Sequence, residues 1–175
     1  MASEIAVRQI QHGRSFFRIF YQGKFYPSLK DQSHYNFMEG IKIRKFRRED
    51  AAEVCNLVRE AFLKFVAPSF SKKGVRKYLA SLTPENFVKK KEGSLRYVAV
   101  EEGKIVEVVF GNYKNGRIGL LFVRKDMVRK GIGRLLLNKI EKEMRKKGVK
   151  TIKLNASLYA VPFYEKWAIK NPGAL

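Results

Sequence analysis

The chain has 175 residues, 45% of them hydrophobic and 30% charged, and it carries a formal net charge of +21. This length and composition fit one globular domain with a sizeable core rather than a disordered chain. No continuous apolar stretch is of the kind that a membrane span or a secretory signal needs. The single Cys55 cannot form an internal disulfide, so we expect a cytoplasmic protein.

The excess of basic residues favours anionic partners through the summed electrostatic field. Three classes of partner fit it: a phosphate-rich cofactor, an acidic protein or a nucleic acid. The lysines and arginines are scattered along the whole chain, which argues against a nucleic acid and leaves a solvated lysine-rich surface as the plainer explanation. Two short basic clusters, 89–91 and 145–147, are predicted to be exposed helix ends.

The first residues differ from the rest of the chain. Aromatic residues crowd into 16–26, where SFFRIFY, a Gln-Gly turn and KFYP predict an aromatic β-hairpin. A second methionine, Met38, stands just before a sequence that begins like a fresh domain. We therefore divide the chain into an N-terminal extension, 1–37, and a main domain, 38–175. Either the hairpin is an accessory element or Met38 is the true start.

The main domain opens with a strand, IKIRKF, followed by amphipathic helices. The helices are predicted from Glu49 or Asp50 to Pro68, at 73–82 and at 84–91. Thr83 is expected to cap the last of them, with Pro84 at its first position. Cys55 lies on the first helix and is interpreted as a small core residue, because no histidine stands near it.

An antiparallel meander of three strands comes next. The strands are predicted at 95–101, 104–113 and 117–123, with a tight hairpin turn at Asn115-Gly116. The third strand is apolar on both alternating faces. Such a strand is typical of the middle of an α/β sheet, so we expect it to be buried on both sides.

A basic, glycine-rich turn follows the meander and leads into a long helix that ends at Gly148. The turn carries Arg124, Lys125, Arg129 and Lys130, then Gly131-Ile132-Gly133. Glycines at a helix start let the backbone approach a ligand, and the free N–H groups there attract an anion. The turn is therefore a candidate phosphate cradle with a basic rim. A strand at 149–155, parallel to the third strand of the meander, and a short helix containing FYEKW complete the pattern.

This order of elements, together with the segment NASLYAVPFYEKW, resembles the GCN5-related N-acetyltransferase (GNAT) family over about residues 41–169. The family's cofactor signature is an Arg or Gln, two residues, Gly, one residue, then Gly or Ala, after a strand that ends Leu-x-Val. Here the strand ends Leu121-Phe122-Val123, and Gly131-Ile132-Gly133 follows at the matching distance. The resemblance implies an α/β fold whose mixed, mostly antiparallel sheet is flanked by helices and has a parallel strand pair splayed at the acetyl-CoA site.

The resemblance also implies an acetyl-CoA-dependent N-acetyltransferase, in which a primary amine attacks the thioester directly in a ternary complex. Tyr164 resembles the family's general acid, which assists departure of the CoA thiolate. The implied cofactor-binding residues are Leu121, Phe122, Val123, Arg129, Lys130, Gly131, Ile132, Gly133, Arg134, Asn155 and Ser157. The acceptor amine is not identified. No metal is expected, because His12 and His34 are too isolated to hold one.

The general base is open. Glu107 is a candidate, against the plainer interpretation of a solvated glutamate on a strand, and a chain of water molecules could serve instead.

The sequence departs from the family at three places. Val128 stands at the Arg or Gln position of the signature, and Ala168 replaces a usual glycine. The chain also ends shortly after the FYEKW helix, where the family continues for two more strands. The aromatic hairpin is a candidate for that sheet edge, in the same chain or in a homodimer. The alternatives to an active enzyme are a CoA-binding relative with impaired catalysis and a basic nucleic-acid-binding protein.

Overall fold

A computed structural model of the chain describes residues 40–164 and the backbone of two short strands that precede them. The strands are β1 (Ala6–Gln9), β2 (Phe16–Tyr21), β3 (Ile41–Lys45), β4 (Ser94–Glu101), β5 (Lys104–Asn112), β6 (Arg117–Val123) and β7 (Ile152–Ser157). The helices are α1 (Ala51–Ala61), α2 (Lys72–Ser81), α3 (Pro84–Val88) and α4 (Gly133–Lys146). None of these helices is long and apolar enough to cross a membrane.

The described strands form one sheet in the order β1-β2-β7-β6-β5-β4-β3. Every neighbouring pair is antiparallel except β6 and β7, which are parallel. Their parallel pairing covers only Arg117 with Lys153 and Ile118 with Leu154, so the two strands separate beyond that point. The expected α/β architecture with a splayed parallel pair is confirmed.

Helices cover both faces of this sheet. On one face α4 packs against the side chains of Val109, Ile118 and Leu154. On the other face α1 packs, together with Phe87 of α3, against Val98 and Val108. Alternation along each strand therefore feeds two separate cores.

The sheet edge beyond β7 is occupied by an N-terminal strand. β2 pairs antiparallel along the whole of β7, from Phe16 opposite Ser157 to Tyr21 opposite Ile152. The partner of β2 in a hairpin is β1, which precedes it, whereas the KFYP strand of the predicted hairpin lies outside the described residues. The edge at which the family is expected to continue is thus paired by this chain's own backbone.

Several predicted boundaries shift. After α1 the chain stays helical through a widened turn, Phe62–Val66, and then a tight turn, Ala67–Ser69. Pro68 does not interrupt this run, because it stands in the first turn of the tight piece, where its missing N–H would have no partner. α3 ends at Val88 rather than at 91. β7 begins at Ile152 rather than at 149, because the chain first reverses at Gly148, whose φ is +80°.

The third meander strand lies in the middle of the sheet and packs on both faces, as expected, but it is less buried than expected. Within β6 only Ile118 is buried, while Leu120 to Val123 are half-buried and Gly119 is exposed. The physical reason is the separation of β6 from β7, which leaves the end of β6 facing open space instead of a neighbouring strand.

Candidate cofactor cleft

The separation of β6 and β7 opens a cleft of about 1040 Å³. Its walls are the end of β6, the glycine-rich turn with the start of α4, and the end of β7 with the residues that follow it. The cleft brings together most of the residues predicted for the site. Those that line it are Leu121, Phe122, Val123, Arg129, Gly131, Gly133, Arg134, Asn155, Ser157 and Tyr164.

Two of the predicted residues do not line the cleft. Ile132 is 0% exposed and lies in the core beneath α4. Lys130 is exposed, and its Nζ lies 3.5 Å from the sulfur of Met127. The side chains of these two residues therefore stabilise the turn rather than form the wall of the cleft.

The end of β6 presents a backbone donor to the gap. Arg124 donates its N–H to the carbonyl of Val106 on the β5 side at 2.8 Å. Because successive residues of an antiparallel pair point to opposite sides, the N–H of Val123 points the other way, toward the space that β7 leaves. This is the position expected for a donor to an oxyanion.

The glycine-rich turn has a backbone that few sequences adopt. Arg129 has a φ of +69° and Gly131 a φ of +83°, both in the left-handed region. A methyl group on Gly133 would lie 3.3 Å from two ring carbons of Phe163. Any larger residue at this helix start would therefore require the Phe163 ring to move. Among the described residues, the N–H groups of Gly131, Ile132 and Gly133 find no backbone acceptor. The turn therefore offers donors at a helix N-terminus to an anion.

The basic rim is narrower than the sequence predicted. Arg124 pairs with Asp126 at 2.7 Å, and Lys125 pairs with Glu60 at 3.1 Å. The cations that line the cleft are Arg129 and Arg134. Val128 also lines the cleft and gives it an apolar side chain at the position where the signature has Arg or Gln.

Tyr164 is a buried residue in the wall of the cleft. It is 6% exposed, and its ring meets the ring of Phe163 edge-on with centroids 5.1 Å apart. Burial, and then the charge of Glu107, raise the pKa of the Tyr164 hydroxyl above its usual value. The hydroxyl is therefore a proton-bearing group throughout the neutral range.

Glu107 is not the solvated strand residue that was the plainer expectation. It is 0% exposed, the backbone of Leu136 lies near its carboxyl group, and among the described residues neither carboxyl oxygen has a well-formed hydrogen bond. Burial raises its pKa well above the usual value, which favours the neutral acid. The residues that line the cleft do not include it.

Aromatic residues from the first helical region form a wall that the sequence did not reveal. Phe65 stacks on Tyr159 with ring centroids 4.7 Å apart, and Phe62 stacks on Tyr78 at 4.1 Å. All four line the cleft. Phe62 and Phe65 stand in the widened turn after α1, a geometry found often at functional sites, but in the sequence they look like core residues of an amphipathic helix.

A sheet with one splayed parallel pair facing a glycine-rich helix start defines an acetyltransferase-type α/β domain. A family model described as an acetyltransferase (GNAT) domain matches residues 66–168. The chain belongs to the GNAT family. No curated protein matches it in sequence.

Solved structures agree on the fold. The PaiA N-acetyltransferase from Thermoplasma acidophilum in complex with coenzyme A has a TM-score of 0.63 at 20% identity, over 73% of this chain and 86% of that one. A GCN5-related N-acetyltransferase from Rhodopseudomonas palustris has a TM-score of 0.64 at 23% identity, over 72% and 79%. The ribosomal-protein-S18-alanine N-acetyltransferase from Escherichia coli has a TM-score of 0.53 at 20% identity, over 73% and 76%.

Proposed function

We propose that the protein is an acetyl-CoA-dependent N-acetyltransferase that moves an acetyl group to a primary amine by direct attack in a ternary complex. The observation that carries the proposal is the single cleft that holds a free strand end, a glycine-rich helix start and a buried tyrosine. Membership of the family and a neighbour crystallised with coenzyme A support it.

In this proposal the diphosphate of acetyl-CoA lies on the glycine-rich turn. The N–H groups of Gly131 and Gly133 donate to it, and Arg129 and Arg134 supply charge. The pantetheine arm extends the sheet along the free edge of residues 121–123, in the place that β7 leaves. Asn155 and Ser157 face this arm from the opposite wall.

The chemistry forms a C–N bond and breaks a C–S bond. The N–H of Val123 stabilises the oxyanion that develops on the thioester carbonyl. A neutral tyrosine has a pKa about 1.5 units above that of a thiol, so full proton transfer from Tyr164 to the thiolate is uphill by roughly 2 kcal/mol, and burial makes it costlier. Tyr164 therefore acts as a hydrogen-bond donor that strengthens its bond as the thiolate forms. Glu107 is left out of the base role because it is not among the residues that line the cleft and its raised pKa favours the neutral acid, so water accepts the amine proton.

The test combines binding and turnover. Acetyl-CoA should raise the melting temperature, and thiol release should appear with members of an amine panel. Tyr164→Phe should lower kcat by about 100-fold, the cost of losing one donor to a developing charge. Tyr159→Phe is the matched control, because Tyr159 lines the same cleft but is 44% exposed. This variant should keep wild-type turnover.

The outcomes separate the alternatives. Full activity of Tyr164→Phe would remove this residue from the mechanism and leave the rest of the proposal standing. Stabilisation by acetyl-CoA without thiol release for any amine would point to a CoA-binding relative with impaired catalysis. Val128→Arg probes that second case, because a guanidinium at the cleft should tighten CoA binding by about fivefold, as expected for one partly exposed ion pair.

A further inference from the structure

A second, basic concavity lies at the other end of the sheet. β6 and β7 are parallel, so the cleft lies at their carboxyl ends and this concavity at their amino ends, beside the last turn of α4. We call it the basic groove. It has a volume of about 480 Å³ and is lined by Tyr113, Lys114, Asn115, Gly116, Lys147, Gly148, Val149, Lys150, Thr151 and Lys153.

The groove is built from two segments that are apart in the sequence: the β5–β6 turn, 113–116, and the stretch from the end of α4 into β7, 147–153. Backbone bonds hold them together. Val149 donates its N–H to the carbonyl of Met144 at 3.1 Å, and Lys153 donates to the carbonyl of Gly116 at 2.8 Å. The guanidinium of Arg145 donates to the carbonyl of Val149 at 2.9 Å. The lysines are therefore presented by a fixed framework.

The positive charge of the groove is not balanced locally. Lys114 forms a salt bridge with Glu92. Lys147, Lys150 and Lys153 are exposed and form no salt bridge within the described residues. Among the residues that the structure describes, no acidic side chain lines the groove. Bringing these like charges together costs energy, and a polyanion would relieve it.

We propose that the basic groove binds the phosphodiester backbone of a nucleic acid. A small anion would engage one or two of these lysines, whereas a chain of phosphates engages several at once and releases counterions from each contact. Tyr113 adds a ring at the groove, with the Nζ of Lys147 5.9 Å from its centroid, on which a base can stack.

The other polyanionic partners fit less well. Membrane surfaces are bound by basic residues next to exposed apolar ones. The exposed large hydrophobic residues among those described are Ile43, Leu63, Leu158 and Tyr159, and none lines the groove. An acidic protein segment could pair with the same lysines, but its carboxylates offer no base to stack on Tyr113, and competition by polyglutamate separates the two partners.

The sequence argued against a nucleic acid because its basic residues are scattered. Three of the groove lysines are already close in the sequence, at 147–153, and the fold adds Lys114 from the β5–β6 turn, which the linear pattern cannot show. Because the groove and the cofactor cleft lie at opposite ends of β6 and β7, we expect both to be occupied at the same time.

The test measures binding of short fluorescent single-stranded RNA, single-stranded DNA and duplex DNA by anisotropy, with saturating coenzyme A present to occupy Arg129 and Arg134. The groove variant carries Lys147→Glu, Lys150→Glu and Lys153→Glu. The matched control carries Lys72→Glu, Lys73→Glu and Lys77→Glu, which are exposed positions on α2 with the same change in net charge. Circular dichroism verifies that both variants fold.

The groove variant should bind at least about tenfold more weakly than the control. For a single strand, the slope of log affinity against log salt concentration should become less negative by about 2, because three phosphate contacts are lost. The three probes show which nucleic acid is preferred. Equal losses in both variants would overturn the proposal, since binding would then reflect only overall charge. Displacement of the probes by polyglutamate at equal charge, or tighter binding to phosphatidylserine vesicles, would also overturn it in favour of an acidic protein or a membrane.

Discussion

Replacing Glu141 with glutamine should remove a pH dependence from the stability of the protein. Glu141 lies on α4 and is 0% exposed, and its carboxyl oxygens accept no well-formed hydrogen bond from the described residues. The guanidinium of Arg145 lies 3.5 Å from one of them. Burial raises the pKa of Glu141 to about 7, and the charge of Arg145 only partly opposes it. An isosteric glutamine keeps the shape and cannot ionise.

The direction of the effect follows from proton binding. Because the folded chain holds this proton more tightly than the unfolded chain, the stabilisation is complete below the unfolded pKa and is lost as pH rises toward about 7. The pKa rises from 4.5 to about 7, and each unit is worth about 1.4 kcal/mol, so the wild type should lose about 3 kcal/mol relative to Glu141→Gln across this window.

Urea unfolding followed by far-ultraviolet circular dichroism measures this difference from about pH 4.5 to about pH 8. Glu143→Gln is the control, because Glu143 lies on the same helix but its hydrogen bond with Lys139 lowers its pKa. That variant should gain no stability relative to the wild type over the same range. A constant difference between the wild type and Glu141→Gln at every pH would refute the reasoning, since it would mean that Glu141 does not titrate in this window.

Other predictions address the sheet and its edges. Gly111→Ala should lower the free energy of unfolding by about 1–3 kcal/mol in urea, because its methyl would lie 2.5 Å from the Met144 methyl. Burial acts to raise the pKa of Asp50, but the hydrogen bond from Arg44 holds that pKa below its usual value. Asp50→Asn should therefore lower the free energy of unfolding near neutral pH, and this loss should shrink as the pH falls through the pKa of Asp50. Deleting 1–37 removes β2 from β7 and should lower the melting temperature; an unchanged value would contradict this.

Local signals in the sequence predicted much of the fold. The bounds of β6 match the prediction, because the turn before it and the basic turn after it are both marked by residues that break strands. Thr83 caps α3 as expected, and its hydroxyl accepts a hydrogen bond from the N–H of Asn86. These features depend on neighbours a few residues away, which the sequence displays.

Features that depend on long-range packing were not predictable. β5 lies inside the sheet and helices cover both of its faces, so Ile105 and Val108 pack in one core while Val106 and Val109 pack in the other. Either face of this strand therefore places Glu107 in the core, where the sequence suggested a solvated side chain. The aromatic wall of the cleft was missed for the same reason, since Phe65 meets Tyr159 only through the tertiary fold.

The two proposed anion sites lie at opposite ends of α4, and the helix accounts for only part of their charge. Cations in the last turn of a helix complement its dipole, which explains Arg145 and Lys146 without any ligand. Lys150 and Lys153 lie beyond the helix, on the entry to β7, and serve neither its dipole nor its carbonyls. Their clustering beside Lys147 is therefore the part of the groove that helix stability does not explain, and it is the part on which the nucleic-acid proposal depends.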